Sequence, residues 1–187
     1  MTLLEMKKKI LGLIEEWDPD HEDLTSDADI ATKINGVINQ VMFELARIKK
    51  IPRYVELPVE KGALITFKDI EKKSRNTVYQ VALISGVKNV PRANNTVFKI
   101  LESGTAEIDC YVYPERITEK TKDKAYEFEL SDDVLEIMPY GAAADLLKSD
   151  ASAEHGSIYQ REYENKLQRL DARYSMPSIS AEGGVDI

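Results

Sequence analysis

The sequence predicts an α+β fold in which helices from both ends of the chain form a bundle, with a small antiparallel β-sheet, sandwich-like or barrel-like, inserted between them. Two observations lead there. Apolar residues recur at helical spacing near both ends of the chain. Between Tyr54 and Leu130 that period gives way to short runs alternating in twos, punctuated by Ser85-Gly86 and Ser103-Gly104. The expected parts are an N-terminal helical part, 1–53, an inserted β part, 54–130, a C-terminal helical part, 131–174, and a tail, 175–187.

The first helix is expected over residues 2–17. Leu3, Leu4, Met6, Ile10, Leu11, Leu13, Ile14 and Trp17 make a broad apolar face, and Lys7, Lys8 and Lys9 form a solvated edge opposite. Asp18-Pro19 stops it. The second helix runs from about Asp27 to Lys49, opened by a Ser26–Asp29 capping box and carrying Ile30, Ile34, Val37, Ile38, Val41, Met42, Leu45 and Ile48 on one side. Asn35 and Asn39 lie one turn apart on it, and Gly36 is expected to mark close packing. Pro52 ends the element.

The strand candidates are Val55 to Leu57, Leu64 to Phe67, Asn76 to Ile84, Val97 to Leu101, Ala106 to Tyr113, and Tyr126 to Leu130. In the fifth, Ala106, Ile108, Cys110 and Val112 face one way, while Tyr111 and Tyr113 face the other. Residues 115–126 read as a polar loop.

The last part begins with Ser131-Asp132-Asp133, acids suited to a helix N-terminus. Two helices follow, meeting near Lys148 to Ser152. Gly141, Ala142, Ala143 and Ala144 keep the surface of the first thin, so another helix can approach closely. Tyr159, Tyr163, Leu167, Leu170 and Tyr174 make a stripe on the second, with Gly156 just before it, and Glu162 and Lys166 form an i,i+4 pair. Gly141, Ala143, Ala144, Tyr159, Tyr163 and Leu167 are therefore the expected surface for packing between helices or between copies. The tail is short of apolar residues and is expected to be disordered alone, with Met176, Ile179, Val185 and Ile187 spaced to anchor an extended peptide on a partner.

Composition limits the function. The chain has 187 residues, of which 43% are hydrophobic, enough for a substantial core. One cysteine excludes an internal disulfide, and no apolar run is long enough to span a bilayer. The mixed charge at the N-terminus is not that of a signal peptide, so a cytosolic protein is expected. The net charge of −8 arises in residues 15–29, which hold eight acids and no Lys or Arg; the rest of the chain is neutral. That argues against a sequence-reading DNA surface, which needs a basic footprint.

Signals for chemistry are weak. Asp18, Asp20 and Glu22 alternate as in a calcium loop, but Asp23 stands where that loop needs glycine and Asp29 where it needs glutamate. Cys110 reads as a core thiol. His21 and His155 stand in unrelated contexts, and no glycine-rich phosphate loop is present. No catalytic residue, metal site or cofactor is expected. The tyrosine-rich strands leave a carbohydrate- or partner-binding β module as the alternative to an assembly protein.

Three stretches carry a family resemblance. The first is LLEMKKKILGLIEEW, followed by the acidic loop and ADIATKINGVINQVMFELARI. The second is GTAEIDCYVYPERIT, a glycine, a strand with aromatics, then proline and an Ile-Thr step. The third is LEIMPYGAAADLLKSDASAEHGSIYQREYENKLQRL, a small-residue helix, an aspartate and a tyrosine-bearing final helix. In these the chain resembles the head-tail connector (adaptor, head-completion) proteins of bacteriophages and prophages. The resemblance implies a structural protein at the head-tail interface of the virion, made in the bacterial cytoplasm. It implies a homo-oligomeric ring, usually twelvefold in that family, beneath the portal protein. Such a ring extends the DNA channel without sequence-specific binding and offers a surface to a downstream tail or stopper protein. It also implies portal docking by the tail residues Met176, Ile179, Val185 and Ile187. A related reading is an accessory protein of the phage tail or baseplate.

Overall fold

The structure, a computed structural model, describes residues 1–22, 24–148 and 153–174. It is mixed helix and sheet, and its sheets are small and antiparallel.

Helix α1 (Leu3–Leu13) opens with a capping box. The Glu5 N–H donates to Thr2 Oγ1 at 3.3 Å, and the Thr2 N–H donates to the Glu5 carboxylate at 2.8 Å. The helix ends before the expected Trp17. Glu15 adopts φ 61° and the Glu16 N–H reaches back to the Leu11 carbonyl at 2.9 Å. This is a Schellman-type ending with glutamate in the place that usually takes glycine. The turn comes ahead of Asp18-Pro19 and takes Trp17 off the apolar stripe, leaving it 47% exposed. The lysine edge is also more than solvated, because Lys7 pairs with Asp123 at 2.7 Å.

Helix α2 (Ala28–Lys49) is capped by Asp27 rather than by a Ser26–Asp29 box. Asp27 Oδ1 accepts from the N–H groups of Asp29 and Ile30 at 2.8 and 3.1 Å, while the Asp29 carboxylate turns to Lys33. Ile30, Ile34, Ile38, Val41, Met42 and Leu45 are buried along one face. Gly36 does not mark close packing, since a Cβ there would meet nothing within 4 Å. Lys50 leaves the helix at φ 56°, and the chain enters a strand at once.

That strand, β1 (Ile51–Val59), starts earlier than Tyr54 and includes Pro52. It lies at an edge of the first sheet, where a missing N–H is tolerated. The order is β1-β6-β3, with β6 (Gly104–Val112) central and β3 (Val78–Ser85) at the other edge. Ile108 stands opposite Val55 on one side and Ile84 on the other. Ala106, Ile108, Cys110 and Val112 all point into the core. The second sheet has the order β2-β5-β4: β2 (Leu64–Thr66), β5 (Val97–Lys99) and β4 (Arg92–Asn94).

Two strand expectations are corrected. Phe67 does not continue β2; it begins α3 (Phe67–Ser74), because Thr66 and Asp69 form a second capping box. Ile70 of α3 is fully buried. Tyr126 to Leu130 make no strand either. Only Glu127 bridges, to Thr2, and the Leu3 N–H donates to the Tyr126 carbonyl. Their partner turns helical at Leu3, so no ladder can extend.

The C-terminal part holds α4 (Asp132–Leu135), α5 (Met138–Leu147) and α6 (Ala153–Tyr174). Pro139 sits in the first turn of α5, where its missing N–H is harmless. Helix α5 is almost wholly buried and touches α1, α2 and α6. The hydrophobic core is continuous from Leu3 through Ile108 and Phe98 to Leu170. The loop after β6 is tied to α2 by Asn39, whose Nδ2 donates to the Ile117 carbonyl and whose Oδ1 accepts from the Ile117 N–H, both at 2.8 Å. The tail with Met176, Ile179, Val185 and Ile187 lies outside the described residues. Among those described, no helix is long and apolar enough to cross a membrane.

Candidate partner-docking site

The small residues of α5 are used within the chain. A Cβ on Gly141 would lie 2.9 Å from Tyr163 Cε2 and 3.1 Å from Val41 Cγ1, so glycine is what lets α2 and α6 close on α5 together. Ala143 and Ala144 are buried. Gly156 of α6 meets Leu147, with the Ala144 carbonyl 3.5 Å from where its Cβ would be. Tyr159 donates its hydroxyl to the Leu13 carbonyl, fixing α6 to the end of α1. Leu167 is half-buried against the core, and Leu170 is buried. Tyr163 is buried with its hydroxyl lacking a hydrogen-bond partner among the described residues. Burial first, then the charge of the Glu44 carboxylate, which lies close enough to interact with the hydroxyl without meeting full hydrogen-bond geometry, raises its pKa. Of the six residues expected at the packing surface, Gly141, Ala143, Ala144 and Tyr163 are covered inside the chain. They leave little surface for another copy.

A more open feature lies beside this seam. A groove of about 550 Å³ runs between α1, α5 and α6, walled by Lys8, Gly12, Trp17, Pro139, Tyr140 and Lys166. Lys8 Nζ stands 5.9 Å from the centre of the Trp17 ring, and Lys166 Nζ 4.8 Å from that of Tyr140. Lys166 is also 3.5 Å from Glu162, the expected i,i+4 pair. Lys9, Leu13 and Glu136 complete the wall. Two amphipathic rings, apolar chain and ammonium groups suit a partner segment that offers apolar and acidic side chains. Trp17 and Tyr140 were not singled out from the sequence as site residues. The Trp17 side of the groove depends on the early end of α1, which the apolar stripe conceals.

The chemistry of the remaining candidates is quiet. Cys110 is buried in the sheet, and burial pushes its thiol pKa up, opposite to an activated thiolate. Asp18 Oδ1 accepts from the Asp20 N–H at 3.0 Å, and no group of three His, Cys, Asp or Glu among the described residues is arranged to hold a metal ion. No protein-family model and no curated protein matches the chain.

Proposed function

We propose that the chain is a structural adaptor of the phage head-tail connector type. Copies form a ring under the portal, extend the DNA channel and offer a docking surface to the next tail component. The observation that supports this most is α5, a buried small-residue helix contacted by helices from both ends of the chain. In this reading α1, α2, α5 and α6 are the bundle, the two sheets form the inserted module, and the groove beside Trp17 faces a partner. The role is mechanical and involves no turnover. Residues 175–187 dock on the portal through Met176, Ile179, Val185 and Ile187.

Negative-stain imaging with mass measurement tests the ring, and an assembly assay with portal-bearing heads tests docking. Rings and head binding are expected of the full chain. Truncation after Tyr174 should leave the melting temperature unchanged and abolish joining to heads. Neither rings nor binding in the full chain would refute the adaptor role, and full assembly by the truncated chain would refute the role of the tail.

A further inference from the structure

We infer that an arginine-rich pocket at the C-terminal end of α2 receives the acidic segment 15–29 of a second copy of this chain, head to tail. The inference rests on the adaptor reading and names the contact through which copies join.

The pocket, of about 400 Å³, is bordered by Phe43, Arg47, Arg75, Tyr113, Glu115 and Arg116. Two of its three arginines are held by aromatic rings. The Arg116 guanidinium lies 5.1 Å from the centre of the Phe43 ring, and that of Arg47 lies 5.4 Å from the centre of Tyr113. The two rings are 5.0 Å apart, and Arg47 Nε donates to the Tyr113 hydroxyl at 2.5 Å. Arg47, Arg75 and Arg116 form no ion pair among the described residues; Glu115 borders the pocket but pairs with none of them. Stacking orients a guanidinium without neutralising it, and the free N–H groups in its plane suit a carboxylate. Lys50, 5.5 Å from the centre of the Tyr111 ring, extends the positive edge.

Charge and distance identify the occupant. The acidic segment leads into the opposite end of the same helix. Helix α2 has 22 residues. At about 1.5 Å per residue, roughly 30 Å separates its start from Arg47. The segment is folded onto itself, with the Asp18 N–H donating to the Leu24 carbonyl at 2.7 Å and Asp27 capping α2. It therefore stays at its own end, while Glu15, Asp20 and Glu22 remain exposed. A neighbour's segment faces no such restriction. Opposite charges at the two ends of one rigid helix favour a heterologous contact, the kind that closes into rings. Nucleic acid is a poorer occupant, because the chain beyond the acidic segment is neutral and offers no broad basic field.

Sedimentation of the full chain at low and high salt tests this. Self-association is expected, weakening as salt rises. Arg47→Gln with Arg116→Gln should weaken it about tenfold or more, with melting unchanged. Glu15→Lys with Asp20→Lys and Glu22→Lys should do the same. Joining those lysines to Arg47→Glu and Arg116→Glu in one chain should restore association. Unchanged association in either partial set, or failure of the swapped chain to associate, would overturn the contact. A wild-type chain that stays monomeric overturns it as well, and binding of that monomer to portal-bearing heads would still uphold the adaptor role. Arginine-dependent binding of a single-stranded oligonucleotide, with association unaffected, would replace the second copy by nucleic acid.

Discussion

Gly141 and Tyr163 are two sides of one contact, and they should respond to mutation in opposite ways. Gly141→Ala would push a methyl group against the Tyr163 ring at 2.9 Å and Val41 at 3.1 Å. Both neighbours are buried, so the overpacking is expected to cost about 1–3 kcal/mol. Tyr163→Phe removes a buried hydroxyl that has no partner at hydrogen-bonding geometry. It should be neutral, or stabilising by up to about 1 kcal/mol. Denaturant midpoints of the two variants check both signs, and a stabilised Gly141→Ala would mean that the seam is looser than described. The run of small residues was legible in the sequence because Gly141 followed by three alanines leaves a helix surface thin enough for another helix to approach closely. The aromatic–arginine pocket was not, because Phe43 and Arg47 of α2 meet Tyr113 and Arg116 only where the segment after β6 returns to that helix.

At the level of elements, sequence periodicity found the long helices and the strands of the first sheet but missed α3 and β4 and misplaced several ends. Ends are set by local hydrogen bonds that hydrophobic spacing does not record. Glu15 in a left-handed conformation ends α1 without a glycine to announce it. Helix α3 was missed because it is short, and the preceding Leu64 to Phe67 reads as a strand. Its signal was Thr66 with Asp69, a capping box with aspartate in place of the usual glutamate. That box yields a prediction. Thr66→Ala should destabilise the protein by about 0.5–2 kcal/mol at neutral pH. Hydrogen bonds from the Thr66 hydroxyl, then from its backbone N–H, hold the Asp69 pKa below its ordinary value. A carboxyl group with a lowered folded-state pKa stabilises above its unfolded pKa, and that contribution is lost as pH falls through the lowered one. The gap between wild type and Thr66→Ala should therefore narrow below about pH 4. Thermal melts at a series of pH values would measure it; a gap that widens on acidification contradicts the assignment.

For the molecule as a whole, the apolar core does not break where the sequence changes period. Ile51, Val55 and Ile108 of the first sheet, Phe98 of the second and Ile38 of α2 belong to one buried cluster. Thermal unfolding should therefore give coincident transitions by far-UV circular dichroism, which is dominated by the helices, and by exchange of the β6 amides, which reports the first sheet. Two separated transitions would show that the β part unfolds alone. The expectation of distinct parts came from a real change in periodicity. Periodicity describes elements one at a time, however, and cannot tell whether their inner faces share a core.

The paired hydrogen bonds between Asn39 and Ile117 join positions far apart in sequence. One side chain imitates the edge of a strand, accepting from and donating to the same loop residue. For the kinetics of opening, the Ile117 amide should behave as a core amide despite lying in a loop. Its hydrogen exchange should be slower by about tenfold or more than that of Thr118, an exposed residue whose N–H donates to the Thr121 hydroxyl at 2.9 Å. Asn39→Ala should let the two exchange at similar rates, so that protection in this loop depends on one amide side chain of a distant helix.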